Sequence, residues 1–591
     1  MFTQKTKIIT TKKNQYGFSD DIMRLISYFP LKKIRNNQEK VLDEIDEAIK
    51  SNIKYFFLEA PTGFGKSPIA ITLASYLGSS HICTSTKDLQ NQYSKDFHFI
   101  KEAKGKRNFH CILKENEGVQ ETCEYGPCQK DEDFDCIYKT KFSDYKINGL
   151  GTKFEHVDIG QFEKKKYLKK YDQQIRLENL EWEPCRYFHQ KWISTKSSHA
   201  IYNYKYFLSD LYFSNIISKR ELLVFDEVHN IESEISDFKS FIINSDNITR
   251  LFPKLQLPNR KEEEIETWIE FCEVYRNTLL DFMEDFELAM ENNTPIQPFT
   301  EKNLIDCINR EKNLNFVLND MKTNKNNWLV TNIDRTSRDL IRKITLTPLD
   351  ISHYFKEILD LSNYGLFMSA TILNKDYLCK ISGLSKDDIK FIRIKYSDFP
   401  KENRPIHLMN IAWLNSNNIL DNLPVIAKTV NNIMSIHKNE KGIIHTTSYF
   451  QLEFIKNNLN KENLQRLIES GPNTDRIETL QRHSQNSKPT VLISPSFYQG
   501  LDLKDDLSRF QIIIKIPYPD LSDKKVAALR KKDMNWYLWN TIVRLTQTYG
   551  RSIRSKEDHA STYILDSNIN YLLRNVNDMF PSWFTEAIIN R

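Results

Sequence analysis

The sequence predicts an α/β protein built on parallel sheets, and three observations carry this prediction. An apolar run at residues 55–58 leads into a loop with two glycines and then into an apolar helical segment. A second apolar run, at residues 222–225, ends in two acidic residues. Near residue 550, two arginines lie on one face of a predicted helix. Loops and carboxylates of this kind meet at the carboxyl ends of parallel strands.

Length and composition limit the classes of protein that fit. At about 100 to 200 residues per domain, the 591 residues imply about three to five folding units. With 40% hydrophobic residues, 27% charged residues and a net charge of +5, the chain has the profile of a soluble globular protein. No window approaches about 18 consecutive apolar residues, and no apolar segment follows the charged opening. We therefore expect an intracellular protein that does not enter a membrane.

The first glycine-containing loop has the residues of a phosphate-binding loop. Glycines let main-chain N–H groups curl around phosphates, and the following helix N-terminus adds favourable partial charge. A lysine can then pair with phosphate oxygens, and a hydroxyl can ligate magnesium. The candidate residues are Thr62, Gly63, Gly65, Lys66 and Ser67. A strand–turn–helix that binds nothing is the alternative for this segment.

The second apolar run is followed by the sequence Asp226, Glu227, Val228, His229. A parallel sheet presents catalytic carboxylates at this point of a strand. Asp226 is predicted to hold magnesium through water. Glu227 is predicted to orient or deprotonate an attacking water, because phosphoryl transfer needs positioning and charge stabilisation more than covalent chemistry. An ordinary strand end is the alternative, and the phosphate-binding loop makes it the weaker one.

A third segment carries Gln547, Arg551 and Arg554, spaced so that all three project from one helical face. Arginine stays charged and binds phosphate oxygens through paired N–H groups. One of these arginines is therefore a candidate finger that reaches a triphosphate across a cleft between lobes. A solvated basic helix face is the alternative for this segment taken alone.

The order of these segments resembles that of the XPD/DinG-type iron-sulfur helicases of superfamily 2, over nearly the whole chain. Phe29 and Pro30, with Arg35 and Gln38, are similar to the family's adenine-reading Q motif. The remaining motifs follow in the family's order: a first DNA-contacting segment at residues 84–92, the SAT coupling motif at 369–371, and motifs IV, V and VI at 443–448, 496–503 and 547–554.

The resemblance implies two RecA-like motor lobes that use ATP and Mg²⁺. It implies that Arg35 and Gln38 bind the nucleotide and that Asp502, in motif V, belongs to the same site. It also implies catalytic roles for His229 and Gln547.

These motifs depart from the family pattern at three positions. Ala60 replaces the first glycine of the phosphate loop, and Gln499 stands where the family commonly has glutamate. Val228 makes the strand end DEVH in place of the more usual DEAH. None of the three removes a predicted catalytic residue, so we expect activity to be retained.

Five of the nine cysteines fall within 75 residues: Cys111, Cys123, Cys128, Cys136 and Cys185. In a reducing compartment such clustering suggests a metal site rather than disulfides. Resemblance to the helicase family implies a 4Fe-4S cluster on Cys111, Cys136 and Cys185, with Cys128 favoured over Cys123 as the fourth ligand. Zinc is the rival, because Cys123 and Cys128 lie close to the spacing of structural zinc sites. Unligated thiols are a third interpretation.

The motifs divide the chain into two motor lobes, with two insertions in the first. The expected bounds are 1–100, 199–235 and 351–372 for lobe one, 101–198 for an iron-sulfur domain, 236–350 for a helical Arch domain, and 373–591 for lobe two. Between Ile265 and Phe286, apolar residues recur every three or four positions, which is typical of a long packed helix. Lysines between residues 164 and 170, with Tyr167 and Tyr171, could bind a nucleic-acid strand or form one solvated helix face.

The leading hypothesis is an ATP-dependent DNA helicase that moves on single-stranded DNA and unwinds duplex or forked DNA in repair or replication. The resemblance implies 5′-to-3′ movement and a monomeric motor in the cytoplasm, or in the nucleus of a eukaryotic cell. The alternative is a redox-sensing regulator in which ATP switches DNA affinity without strand separation. Glu227 and the two arginines favour the helicase, because turnover needs them and simple binding does not.

Overall fold

The computed structural model describes residues 24–589 apart from short segments. Those left out are residues 132, 149–157, 163–181, 260–262, 293–298, 373, 398, 416, 472–473, 496–502, 504, 551 and 554–556. The described residues include two parallel sheets, a three-stranded antiparallel sheet and a two-stranded antiparallel sheet. Within this part of the chain, no helix has both the length and the apolar character needed to cross a membrane.

The first parallel sheet has seven strands, numbered along the chain. They are β1 (Tyr55–Glu59), β2 (Ser80–Thr84), β3 (Lys101–Ala103), β6 (His199–Asn203), β7 (Arg220–Asp226), β11 (Ser362–Ser369) and β12 (Ile389–Arg393). Their spatial order is β12-β1-β11-β7-β2-β6-β3. Helices cover both faces, which is why the strands are continuous apolar runs; Phe56, Phe57 and Leu58 are all buried.

Helices on the two faces of this sheet form two hydrophobic cores. One face is covered by α1 (Asn36–Lys50), α2 (Lys66–Leu77) and α3 (Lys87–Asp96). The other face is covered by α6 (Tyr204–Ser209), α7 (Ile231–Lys239), α11 (Ser352–Leu359) and α12 (Lys375–Ser382). This second core continues into the other lobe, since Trp539 and Ile542 belong to it.

The first insertion follows β3, and its described residues form only short helices and strands. Its elements are α4 (Ile112–Asn116), β4 (Tyr145–Asn148), β5 (Asp158–Phe162) and α5 (Arg186–Lys196). A small core of Ile112, Ile137, Tyr138 and Trp182 holds it together. The lysine-rich run at residues 164–170 and Tyr171 lie outside the described residues.

The second insertion contains strands as well as helices. Its elements are β8 (Phe241–Asn244), α8 (Ser245–Leu251), α9 (Ile265–Glu291), α10 (Glu301–Thr323), β9 (Trp328–Arg335) and β10 (Ile341–Pro348). The strands form an antiparallel sheet in the order β8-β10-β9. We expected a helical domain here; the long helices are present, and the structure adds a sheet, because β9 and β10 are rich in β-branched residues and a short turn joins them. The predicted apolar stripe packs in the core, where Trp268 and Cys272 are fully buried.

The second parallel sheet has six strands. They are β13 (Ile406–Ala412), β14 (Gly442–His445), β15 (Leu467–Glu469), β16 (Val491–Ser494), β17 (Phe510–Ile513) and β18 (Ser561–Asp566), in the order β13-β18-β17-β14-β16-β15. The helices of this lobe are α13 (Ile419–Ile436), α14 (Tyr449–Asn457), α15 (Lys461–Arg466), α16 (Arg476–Gln485), α17 (Lys524–Lys532), α18 (Met534–Tyr549), α19 (Asn568–Asn575) and α20 (Ser582–Thr585). Two parallel α/β lobes are therefore confirmed.

The boundary between the lobes lies later in the chain than we expected. β12 pairs with β1, with Ile389 opposite Tyr55, so the first sheet extends past residue 373 to Arg393. The second sheet begins only at Ile406. No motif marks β12 in the sequence, and only its pairing assigns it to the first sheet.

Candidate active site

The predicted phosphate loop lies between β1 and α2, as the sequence indicated. Gly63 and Gly65 have φ of 82° and 86°, in the left-handed region that suits glycine. Lys66 is the first residue of α2, and its Nζ lies 3.2 Å from the Ala60 carbonyl oxygen. The loop therefore presents a helix N-terminus and a lysine side by side, which is an arrangement that binds phosphate.

Arg35 and Gln38 hold this loop in shape. Arg35 donates to the Gly63 carbonyl at 2.7 Å, and Gln38 donates to the carbonyls of Phe64 and Gly65 at 3.0 and 3.2 Å. Gln38 is buried, and a Cβ on Gly65 would lie 2.5 Å from its Nε2. The two residues assigned to the Q motif thus act on the main chain of the phosphate loop, a contact that the sequence did not predict.

The acidic pair stands at the carboxyl end of β7. Asp226 is buried, and burial, with the nearby charge of Glu227, raises its pKa to about 6. Glu227 has a left-handed φ of 57°, and its main-chain N–H donates to the Asp226 carboxylate at 3.0 Å. This turn directs the two side chains differently, so that Asp226 is buried while Glu227 is partly exposed. The buried Asp226 carboxylate is therefore placed to hold a metal ion, and the partly exposed Glu227 carboxylate is placed to contact water.

His229 connects the acidic pair to the SAT segment and to the second lobe. Its Nδ1 lies 2.7 Å from the Ser369 hydroxyl and 3.3 Å from a Glu227 carboxylate oxygen. Its Nε2 contacts the side-chain amide of Gln547 on α18. If Gln547 donates to Nε2, then Nδ1 carries the proton and donates to Ser369. Residues from three separate segments therefore meet at one imidazole.

The segment after Gln547 also reaches the phosphate loop. A Cβ on Gly550 would lie 3.9 Å from the Thr62 hydroxyl, so the end of α18 lies against the loop from across the cleft. Arg551, Arg554 and Asp502 lie outside the described residues, and their roles stay predictions.

Two residues near this site carry no signal in the sequence. Tyr93 on α3 is buried and donates from its hydroxyl to an Asp226 carboxylate oxygen at 2.7 Å. Burial and the Asp226 charge raise the pKa of Tyr93 well above its usual range, so the hydroxyl keeps its proton. Phe399 packs on the phosphate loop so closely that a Cβ on Gly63 would lie 2.2 Å from its ring. Neither residue belongs to a motif, and only the fold brings them to the site.

The five clustered cysteines line one cavity in the first insertion. Its remaining wall includes Tyr138, Tyr187 and Phe188. None of the five cysteines forms a disulfide. Within the described ranges, no three His, Cys, Asp or Glu side chains converge closely enough to hold a single metal ion. The thiols are thus gathered around a space, without converging on one point.

The cysteines differ in what they contact. A Cβ on Gly126 would lie 3.2 Å from the Cys111 Sγ and 3.9 Å from the Cys128 Sγ, so this glycine leaves room for both sulfurs. Cys123 is buried; its thiol donates to the His110 carbonyl oxygen at 3.3 Å and lies beside the Cys185 thiol. The neighbouring Cys123 thiol lowers the pKa of the Cys185 thiol.

Two family models match the chain. The DEAD_2 model matches residues 80–248, and the Helicase C-terminal domain model matches residues 430–587. The first covers the DEVH strand and the cysteine insertion, and the second covers the strands of lobe two from β14 onward and the Gln547 helix. The matched segments therefore include Glu227 and His229 from lobe one and Gln547 from lobe two, while Ser369 lies between the two matches.

Curated relatives agree with these matches. A probable ATP-dependent helicase of Methanocaldococcus jannaschii is 24% identical over 91% of this chain and 92% of its own length. The ATP-dependent DNA helicase DinG of Photobacterium profundum is 25% identical over 41% of this chain and 37% of its own length. The chain is an XPD/DinG-type helicase of superfamily 2. It is therefore an ATP-hydrolysing enzyme that uses Mg²⁺ and binds nucleic acid.

Solved structures show the same fold for this XPD/DinG-type chain. A structure described as an XPD helicase superposes with a TM-score of 0.61 at 14% identity, covering 93% of this chain and 99% of that chain. The structure of S. tokodaii Xpd4 superposes with a TM-score of 0.52 at 15% identity, covering 94% and 99%. The two-lobed α/β architecture predicted from the sequence is confirmed.

Proposed function

We propose that this helicase moves on single-stranded DNA in the 5′-to-3′ direction and unwinds duplex or forked DNA. The observation that carries the proposal is the meeting of Ser369, Gln547 and the DEVH strand at His229. The His229 imidazole contacts residues of both lobes beside the carboxylates of Asp226 and Glu227. Binding or hydrolysis of the nucleotide therefore alters the contact between the lobes. Movement of two lobes against each other is what translocation on a strand requires.

The residues at the site suit hydrolysis of a nucleoside triphosphate. Lys66 and the main chain of the loop bind the phosphates, while Ser67 and Asp226 hold Mg²⁺. Glu227 orients the attacking water, and its hydrogen-bonded neighbours limit its rotation. Arg551 and Arg554 complete the site from lobe two and stabilise the charge that develops on the phosphoryl group.

We propose that the cysteine insertion holds a 4Fe-4S cluster on Cys111, Cys128, Cys136 and Cys185. The proposal is supported by the positions of these four thiols, which line one cavity. A zinc ion needs four ligands at about 2.0–2.3 Å from a single point. A cluster has its irons spread over a larger volume, which suits thiols that surround a space. When bound, the cluster joins loops that are distant in the sequence.

A cavity in lobe two supports a path for a nucleic-acid strand. It lies beyond the carboxyl ends of β14, β16 and β17. Its wall carries the cations of Lys515 and Arg544 and the hydroxyls of Thr446 and Thr447, with Asp520 at the same cavity. Cations beside hydroxyls are typical contacts to a phosphate backbone, and such contacts read no base sequence.

The cellular setting follows from this activity. We propose a monomeric motor that works on single-stranded and forked DNA during repair or replication. In a prokaryotic cell it works in the cytoplasm at the nucleoid, and in a eukaryotic cell in the nucleus. The ATP-switched regulator is the less favoured function, because turnover needs Glu227 and the two arginines, whereas simple binding does not.

Unwinding of tailed duplexes tests the proposal. Protein purified without oxygen is given ATP and DNA duplexes with a 5′ tail, a 3′ tail or a fork, and matched duplexes with an RNA tail. We expect separation of the 5′-tailed and forked DNA only. Unwinding of 3′-tailed DNA alone would contradict the polarity, and a preference for RNA tails would contradict the substrate. ATP hydrolysis with DNA binding but no strand separation would favour the regulator.

A further inference from the structure

Tyr93 is a buried side chain that the hydrolytic residues discussed so far do not explain. It lies in the last half of α3, and its hydroxyl donates to the Asp226 carboxylate at 2.7 Å. The Ser67 side chain also lies next to this hydroxyl. Ser67 and Asp226 are the two residues assigned to Mg²⁺. The Tyr93 hydroxyl therefore lies beside both residues that would hold the metal ion. A side chain that contacts metal-binding groups from the side away from the metal fixes their orientation.

The helix that carries Tyr93 is held firmly in place. Gln90 is fully buried and donates to the carbonyls of Ala103 and Ile201 at 2.9 and 3.0 Å. Asn91 accepts from Lys104 at 2.9 Å. These contacts tie α3 to the edge of the first sheet. Because Tyr93 is part of α3, any displacement of this helix changes the position of the Tyr93 hydroxyl.

The other end of α3 is exposed. Thr86 caps the helix by accepting from the Leu89 N–H at 3.2 Å, and Thr86, Lys87 and Asp88 face solvent. This turn lies within residues 84–92, which resemble the family's first DNA-contacting segment. A single ten-residue helix therefore runs from an exposed segment at the surface to a hydroxyl at the metal position.

We propose that Tyr93 is a positioning residue that holds Ser67 and Asp226 in the arrangement that binds Mg²⁺ with the nucleotide, and that α3 transmits nucleic-acid contact to this arrangement. The first half concerns the Mg²⁺ site alone. The second half rests on the proposed function, because it needs a strand bound at residues 84–92. Reciprocity then requires that a bound strand and Mg²⁺-nucleotide alter each other's affinity by the same factor.

Tyr93→Phe tests the first half, because it removes one hydroxyl and keeps the ring. The measurement is binding of a fluorescent ADP to the full chain over a range of Mg²⁺ concentrations and in EDTA, without nucleic acid. We expect the Mg²⁺ concentration for half-maximal binding to rise about 10- to 100-fold, as for other residues that orient metal ligands. Binding in EDTA should not change.

Tyr204→Phe is the matched control. The Tyr204 hydroxyl is equally buried and donates at 2.9 Å to the main-chain oxygen of Asp226, away from the carboxylate. Its removal should leave the Mg²⁺ dependence as in the wild type. Equal shifts in the two variants, or no shift in Tyr93→Phe, would overturn the positioning role. A thermal melt of each variant without ligand shows whether the fold is intact.

The second half is tested by adding a single-stranded oligodeoxynucleotide to the same titration. In the wild type the strand should lower the Mg²⁺ requirement, and in Tyr93→Phe this shift should be lost while the strand still binds. An undiminished shift in the variant would overturn the link through α3. If the wild type binds no strand, the proposed function fails, and the Mg²⁺ titration without nucleic acid still decides the role of Tyr93.

Discussion

The His229 imidazole lies 2.7 Å from the Ser369 hydroxyl, across 140 positions of the chain. Ser369 is the last residue of β11, and His229 follows the neighbouring strand β7, so the parallel pairing of these strands creates the contact. The Thr371 main-chain N–H donates to the same hydroxyl at 3.1 Å. The SAT segment therefore contacts the turn that carries Glu227 and His229 through the Ser369 hydroxyl, and the Thr371 main-chain N–H fixes the position of this hydroxyl.

This contact predicts a shared role for His229 and Gln547. His229→Ala and Gln547→Ala should each weaken the stimulation of ATP hydrolysis by single-stranded DNA by about 0.5–2 kcal/mol, or roughly 2- to 30-fold. The double variant should be no worse than either single variant, because both remove one linkage. Steady-state ATPase measurements with and without DNA check this. Additive losses would show that the two side chains act separately.

Glu227→Gln should nearly abolish turnover while ATP and DNA still bind. The amide keeps the shape of the side chain but cannot orient or deprotonate water as the carboxylate does. The matched control is Glu221→Gln at the other end of β7, where Glu221 accepts from Asn363 at 3.0 Å. Single-turnover hydrolysis and nucleotide-binding titrations provide the comparison. Substantial DNA-stimulated hydrolysis by Glu227→Gln would show that another group activates the water.

Arg551→Ala or Arg554→Ala should slow hydrolysis strongly. Loss of an arginine finger costs about 10³ to 10⁵ in rate, because the charge that develops on the phosphoryl group loses its partner. The affinity for ATP should change far less. Rates and ATP affinities of both variants are compared with those of the wild type. Unchanged turnover in both would remove lobe two from the active site.

Gly65→Ala should impair nucleotide binding. Its positive φ disfavours a side chain by about 1–2 kcal/mol, and a Cβ would lie 2.5 Å from the Gln38 amide that holds the loop. Gly383→Ala is the matched control, since Gly383 also has a positive φ, of 69°, but nothing lies within 4 Å of its Cβ position. We expect Gly383→Ala to lower stability only. Equal nucleotide affinity in both variants would contradict the role of Gln38.

Serine replacements should identify the cluster ligands. Cys111→Ser, Cys128→Ser, Cys136→Ser and Cys185→Ser should each bleach the brown absorbance and abolish unwinding, while single-strand-stimulated ATPase remains because each lobe has its own core. Cys123→Ser should keep the absorbance, as should the control Cys379→Ser on α12. Bleaching by Cys123→Ser and not by Cys128→Ser would exchange the fourth ligand. Stoichiometric zinc without iron or acid-labile sulfide in anaerobic protein would contradict the cluster.

Local residue patterns were sufficient to predict the parallel strands, the phosphate loop and the acidic strand end, and the resemblance to a helicase family added the two lobes. The reason is physical: a loop that wraps phosphates needs adjacent glycines, a lysine and a helix N-terminus within a few residues. Such a site is contiguous in the chain, and so is an apolar strand that ends in Asp226 and Glu227. Both can therefore be read before any tertiary structure is known.

Only the tertiary structure decided which distant residues meet these segments. The hydroxyl of Tyr93 reaches Asp226 across 133 positions, and the Gln547 amide reaches His229 across 318. β12 joins the first sheet, and strands enter the second insertion, because pairing and burial outweigh local patterns there. Contacts of this kind depend on how strands order in a sheet and how lobes close, and no spacing in the chain encodes them.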